Sequence, residues 1–135
     1  MAQSPAMTGV DEIKKRILVV EDEQDVAFMI ARFLGTEYDV AVAMNGQQGL
    51  EMAFDEPRPE LIITDVMMPK LDGISMVKRI RERDPNRKTP VIFLTAKSAP
   101  MDIVAGIQAG AKHYITKPFQ FDELRKKVRK VLTGR

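Results

Sequence analysis

The chain predicts an α/β domain built on one doubly wound, five-stranded parallel sheet, and three observations lead there. Short aliphatic runs alternate with longer segments whose apolar residues recur every three or four positions. Five strand-like runs are each followed by one helix-like segment, and crossovers of that kind join parallel strands in the right-handed sense. Runs such as Ile17-Leu18-Val19-Val20 and Val91-Ile92-Phe93-Leu94 have no polar alternation, the mark of strands covered on both faces.

Taken in order, residues 1–14 carry Pro5 and Gly9 without apolar period and read as a disordered, solvated tail, leaving residues 15–135 as the domain. The first strand, Ile17 to Val20, runs into Glu21-Asp22-Glu23. Val26, Ile30, Phe33 and Leu34 then form one stripe of a first helix that ends at Gly35. Tyr38 to Val42 is the second strand; Asn45 caps a second helix whose buried side is Leu50, Ala53 and Phe54, before Pro57. The third strand, in Leu61-Ile62-Ile63-Thr64-Asp65, stops at a carboxylate, and Pro69 in the following Val-Met-Met-Pro cannot sit in a central ladder. Ile74, Val77 and Ile80 mark a third helix, closed by Asp84-Pro85-Asn86. Val91 to Leu94 leads into Thr95-Ala96, and Ser98 with Pro100 opens a fourth helix that Gly106 and several β-branched residues weaken, so it is expected to be the most mobile. Tyr114-Ile115 lies in a short fifth strand that leaves through Thr116-Lys117-Pro118. A last helix buries Phe121, Leu124, Val128 and Val131, with acids in its first turn and bases later, the sense that complements the helix dipole.

Composition bounds the function. The 135 residues, 44% hydrophobic and 30% charged, suit a single globular domain, with no room within them for an appended output domain. No apolar run approaches the ~18 residues that a membrane helix needs, and the N-terminus lacks a secretion signal, so the expected location is the cytoplasm without membrane attachment. Absence of cysteine removes disulfides and thiolate metal sites. A net charge of +2 is too small to imply a nucleic-acid partner.

The strand ends carry the chemistry. Parallel topology brings Glu21 and Asp22, Asp65, Thr95 and Lys117 to one rim, although they are far apart in sequence. Clustered carboxylates raise one another's pKa unless a cation neutralises them, and Mg²⁺ is ordinarily held by one or two carboxylates, water and phosphate oxygens. An ammonium and a hydroxyl alongside complete a phosphoryl site, with Asp65 as the nucleophile that would become an acyl phosphate.

From about Lys15 to Thr133 the chain resembles the receiver domain of two-component response regulators, the family that includes the single-domain chemotaxis regulator. The blocks that carry the likeness are Val19-Val20-Glu21-Asp22-Glu23, Thr64-Asp65-Val66-Met67-Met68-Pro69 with Asp72-Gly73, Leu94-Thr95-Ala96 and Tyr114-Ile115-Thr116-Lys117-Pro118-Phe119. Each alone is weak; four in order at strand ends are specific. The resemblance implies a flavodoxin-like (βα)5 fold with strand order 2-1-3-4-5, an order carried over from the family.

It further implies that Asp65 takes a phosphoryl group from a phosphohistidine on a sensor histidine kinase or phosphotransfer protein. Asp22 and Asp65 would bind Mg²⁺ directly, Glu21 through water, and the Met67 backbone carbonyl would add a ligand. Lys117 would pair with phosphoryl oxygens, and its bond to Pro118 is typically cis in the family. Thr95 would shift toward the phosphoryl group and let Tyr114 turn inward, changing the face of the fourth helix, fifth strand and fifth helix where a downstream effector docks. The implied role is regulatory, not enzymatic, in a monomer or a phosphorylation-dependent dimer. Glu21 departs from the Asp that many members carry, and Met67 and Lys97 occupy positions that influence attack by water, so slow self-dephosphorylation is expected.

Other readings fit less well. An aspartate-nucleophile phosphatase typically needs a second acid two residues beyond the first, where this chain has Met67. A flavin carrier would need a phosphate-cradling loop after the first strand, where Glu-Asp-Glu repels phosphate. A receiver-like module that is never phosphorylated has no need of all five rim groups. His113 has no second His or Cys with which to share a metal; the nine methionines read as core fillers, and the basic run on the last helix as a solvated face.

Overall fold

Aliphatic side chains that point alternately to the two faces of a strand need cover on both sides, and that requirement shapes this chain. The computed structural model describes residues 13–85, 87–96 and 113–134. The elements run β1 (Arg16–Val20), α1 (Gln24–Leu34), β2 (Asp39–Ala43), α2 (Gly46–Met52), β3 (Leu61–Asp65), α3 (Gly73–Arg83), β4 (Val91–Ala96), β5 (His113–Lys117) and α4 (Phe121–Thr133). The strands form one parallel sheet in the order β2-β1-β3-β4-β5, as expected. Four helices lie among the described residues; the helix expected between Ser98 and Gly110, and Lys97 before it, fall outside them.

The pleat sorts β1 into two cores. Leu18 and Val20 pack with Ile62 and Phe93 beneath Leu50 of α2 and Met76 and Ile80 of α3. Ile17 and Val19 pack on the other face with Ile63, Ile92, Leu94 and Ile115, covered by Ile30 and Leu34 of α1 and Leu124 and Val128 of α4. Burying each such side chain is worth about 1.5–3 kcal/mol, which is why helices with a single apolar stripe settle here. Among the last helix's expected core residues, Leu124 and Val128 are fully buried, and Phe121 and Val131 partly.

Two local readings shift. β2 lies one residue further on than expected, Asp39–Ala43, because its ladder with β1 runs from Arg16↔Asp39 to Val20↔Ala43. α2 ends at Met52, so Phe54 lies beyond it; its ring packs partly buried against the core, with the guanidiniums of Arg58 and Arg83 each 5.1 Å from its centroid in cation–π contact.

Candidate functional site

Three strand exits meet at one rim. β1 passes directly into Glu21, whose amide continues the ladder by donating to the Ala43 carbonyl at 3.0 Å. Its side chain is fully buried: Oε2 accepts from the Glu23 amide at 3.2 Å, and Oε1 accepts from Lys117 Nζ at 2.9 Å. Asp65 closes β3, buried to 9% exposure, and its Oδ2 lies 3.2 Å from the same Lys117 Nζ. Lys117 is the last residue of β5, and its peptide bond to Pro118 is cis. Asp22 is exposed, yet carboxylate oxygens of Glu21, Asp22 and Asp65 lie within 4.8 Å of one another.

One ammonium thus serves two buried carboxylates, with a third carboxylate beside them. Burial pushes the Glu21 carboxyl from its usual 4.5 up to about 7, opposed by the hydrogen bond from Lys117 and reinforced by the charge on Asp65. Burial likewise raises Asp65, against the pull of Lys117. Burial disfavours the Lys117 charge, but its bonds and attraction to Glu21 and Asp65 prevail and hold it above the usual lysine range. Three hard oxygen donors with too little compensating charge form a donor set that suits a hard divalent cation such as Mg²⁺.

The remaining candidates surround this centre. Thr95 follows Leu94, the register partner of Asp65, and pairs with Thr116 of β5. Thr95 is 6% exposed, and its hydroxyl has no hydrogen-bond partner among the described residues, whereas buried polar groups ordinarily have one. Tyr114 is 41% exposed on β5, and Met67, two residues past Asp65, is 58% exposed. Asp72 caps α3, accepting from the Ser75 amide at 2.8 Å and hydroxyl at 2.9 Å.

Some contributors escaped the sequence reading. Thr64 donates its hydroxyl to the Asp65 carbonyl at 2.9 Å; a polar residue inside an otherwise apolar buried strand was the available signal. The sequence offered no signal for the burial of acids 21 and 22, of which the structure buries the first and exposes the second. No helix among the described residues is long and apolar enough to cross a membrane.

The family model of the response regulator receiver domain matches residues 17–129. The chain is 45% identical over 115 residues to the transcriptional regulatory protein DltR of Streptococcus agalactiae, covering 84% of this chain and 50% of that protein. It is 37% identical over 133 residues to the transcriptional regulatory protein TrcR of Mycobacterium tuberculosis, covering 98% of this chain and 51% of the relative. The chain therefore spans about half the length of these relatives. Among solved structures, a Francisella response regulator receiver domain superposes with a TM-score of 0.75 at 34% identity, over 89% of this chain and 98% of that one. A receiver domain protein from Methanospirillum hungatei gives 0.80 at 26% identity, over 90% and 96%.

Proposed function

The chain belongs to the response regulator receiver family, and from that premise we propose that it is a phosphoacceptor switch with Asp65 as the acceptor. An Asp65 carboxylate oxygen attacks the phosphorus of a phosphohistidine on a sensor histidine kinase or phosphotransfer protein. The P–N bond breaks, its electron pair stays on the imidazole nitrogen, and an acyl phosphate forms.

The observation that carries this reading is the Lys117 ammonium, set 3.2 Å from Asp65 and 2.9 Å from Glu21 at the common strand rim. From there Lys117 would pair with oxygens of an incoming phosphoryl group and disperse the charge that builds on them. Asp22 and Asp65, with Glu21 through water and the Met67 carbonyl, are the residues that would hold Mg²⁺. When bound, the ion supplies positive charge for the phosphoryl oxygens. Thr95, whose hydroxyl has no partner among the described residues, would donate to a phosphorylated Asp65, and its shift would free space for Tyr114 to turn inward. A downstream effector would read the altered surface around β5.

The role is regulatory, with slow self-dephosphorylation at most. A net charge of +2 gives these residues no strong pull on nucleic acid, and the setting proposed is the cytoplasm.

The test is intact mass after incubation with acetyl phosphate, with and without Mg²⁺, for wild type and Asp65→Asn. The expected result is gain of one phosphoryl group that requires both Mg²⁺ and Asp65. No gain by folded wild-type protein under any condition would instead indicate an interaction module that is never phosphorylated.

A further inference from the structure

The corner between β2 and α2, residues 43–46, offers no reactive group, yet it touches both walls of the site. On one side the Ala43 carbonyl holds the Glu21 amide at 3.0 Å. On the other, buried Gly46 opens α2 directly against the backbone of Leu71. A Cβ at Gly46 would stand 2.0 Å from the Leu71 carbonyl oxygen and 2.9 Å from both the carbonyl carbon and the Leu71 Cβ, distances at which backbone has to move.

Leu71 is the far end of the loop that leaves Asp65 and carries Met67. That loop has little slack. The Gly73 amide donates to the Val66 carbonyl at 2.8 Å, the Leu71 amide to the Pro69 carbonyl at 2.8 Å, and the Leu71 side chain is buried. At its base the Asp65 carbonyl lies against Gly73, where a Cβ would approach it to 2.1 Å. The corner pressing on this loop is itself braced by a reciprocal cap: Asn45 Oδ1 accepts from the Gln48 amide at 2.8 Å, and Gln48 Oε1 accepts from the Met44 amide at 2.7 Å.

We propose that Gly46 is a positioning residue of the phosphoacceptor site. By admitting the Leu71 backbone against the first turn of α2, it fixes the loop that carries the Met67 carbonyl relative to Glu21, which the same corner holds. The inference rests on the phosphoacceptor reading above. It differs from ordinary helix packing in its consequence: displacing the loop has to weaken cation binding beyond what the loss of stability explains.

The comparison is between Gly46→Ala, Gln48→Ala and Leu50→Ala. Leu50, 2% exposed in the same helix, belongs to the core cluster of Leu71 and Val66 but not to the corner itself, so its truncation measures what loosening that core does without moving the corner. Thermal midpoints are measured for each, with the affinity for Mg²⁺ alone by titration calorimetry and the dependence of phosphorylation rate on acetyl phosphate concentration. Gly46→Ala is expected to weaken Mg²⁺ binding on the order of 10-fold and to lower the maximal rate at saturating Mg²⁺, since sub-ångström placement governs such sites. Gln48→Ala, which loosens the cap without a clash, is expected to shift Mg²⁺ affinity in the same direction by less. Leu50→Ala is expected to melt earlier yet bind Mg²⁺ as wild type does.

Wild-type Mg²⁺ affinity in both Gly46→Ala and Gln48→Ala, or a loss in Leu50→Ala as large as theirs, overturns the proposal. Should Gly46→Ala not fold, Gln48→Ala against Leu50→Ala decides it. A wild-type protein that neither binds Mg²⁺ nor accepts a phosphoryl group overturns the phosphoacceptor reading itself, a result distinct from the failure of the corner alone.

Discussion

Lys117 and Glu21, 96 residues apart in the chain, form a 2.9 Å ion pair across the full width of two intervening strands, since β3 and β4 separate β1 from β5 in the sheet. The lysine makes its shorter contact with Glu21 and its longer one, 3.2 Å, with Asp65. Removing it leaves two buried carboxylates facing each other.

Lys117→Met is therefore expected to destabilise the protein by about 3 kcal/mol at neutral to alkaline pH, the usual cost of stranding a buried charge. Added Mg²⁺ or mild acid should restore much of that loss, by neutralising the carboxylates in the one case and protonating them in the other. Urea midpoints with and without Mg²⁺ measure this; equal midpoints for variant and wild type would show that the pair contributes nothing.

The raised Glu21 pKa has a definite sign. Between 4.5 and about 7 the folded protein retains a proton that the unfolded chain releases, so this group's contribution to stability is fullest below 4.5 and is lost as pH rises through about 7. Asp65 is displaced in the same direction. Stability of Glu21→Gln should fall less over this window than that of wild type, as urea midpoints across the range will read. Mg²⁺ affinity should rise with pH over the same interval, because the cation binds the ionised carboxylates and expels protons.

Thr95→Val removes a hydroxyl that is buried without a partner among the described residues. The unphosphorylated protein should gain about 1 kcal/mol of stability, because an unsatisfied polar atom is replaced by an apolar one of similar shape. The same change should uncouple phosphorylation from Tyr114. With two tyrosines and no tryptophan in the chain, tyrosine fluorescence in a Tyr38→Phe background isolates Tyr114. A phosphorylation-dependent signal that survives in Thr95→Val would count against the coupling.

Met67 is exposed beside Asp65 and offers only a weak thioether acceptor. Met67→Asn, which can orient water, should shorten the phosphorylated lifetime several-fold, followed by the decay of the phosphorylated mass after the donor is removed. An unchanged or longer lifetime would place control of hydrolysis elsewhere.

The fold was legible where side chains alone decide it. β1, β3 and β4 are built on short continuous apolar runs, and Asn45 announces a helix start with a side chain that accepts from Gln48. Positions governed by backbone proximity were harder to read. Gly46 and Gly73 are small because carbonyls of Leu71 and Asp65 lie against them, contacts that no local pattern encodes. The strand ends that gather the site could be read from parallel topology, but the opposite burial of Glu21 and Asp22 could not, because it depends on which acid continues the β1 ladder.

That last dependence makes the length of β1 a chemical variable. Leu18 and Val20 face one core and Ile17 and Val19 the other, so sliding the strand by one rung would exchange the two sets. It would also move Asp22 onto the rung held by Glu21, with an arm one methylene shorter. A single-codon deletion within β1 is thus equivalent to rewriting the acid that meets Lys117. Even if such a variant recovered its packing through compensating changes in the two cores, it should form a site with a different charge balance. Insertions and deletions in this strand ought therefore to be harder to accept than in any surface loop, however well the core tolerates exchange of one aliphatic residue for another.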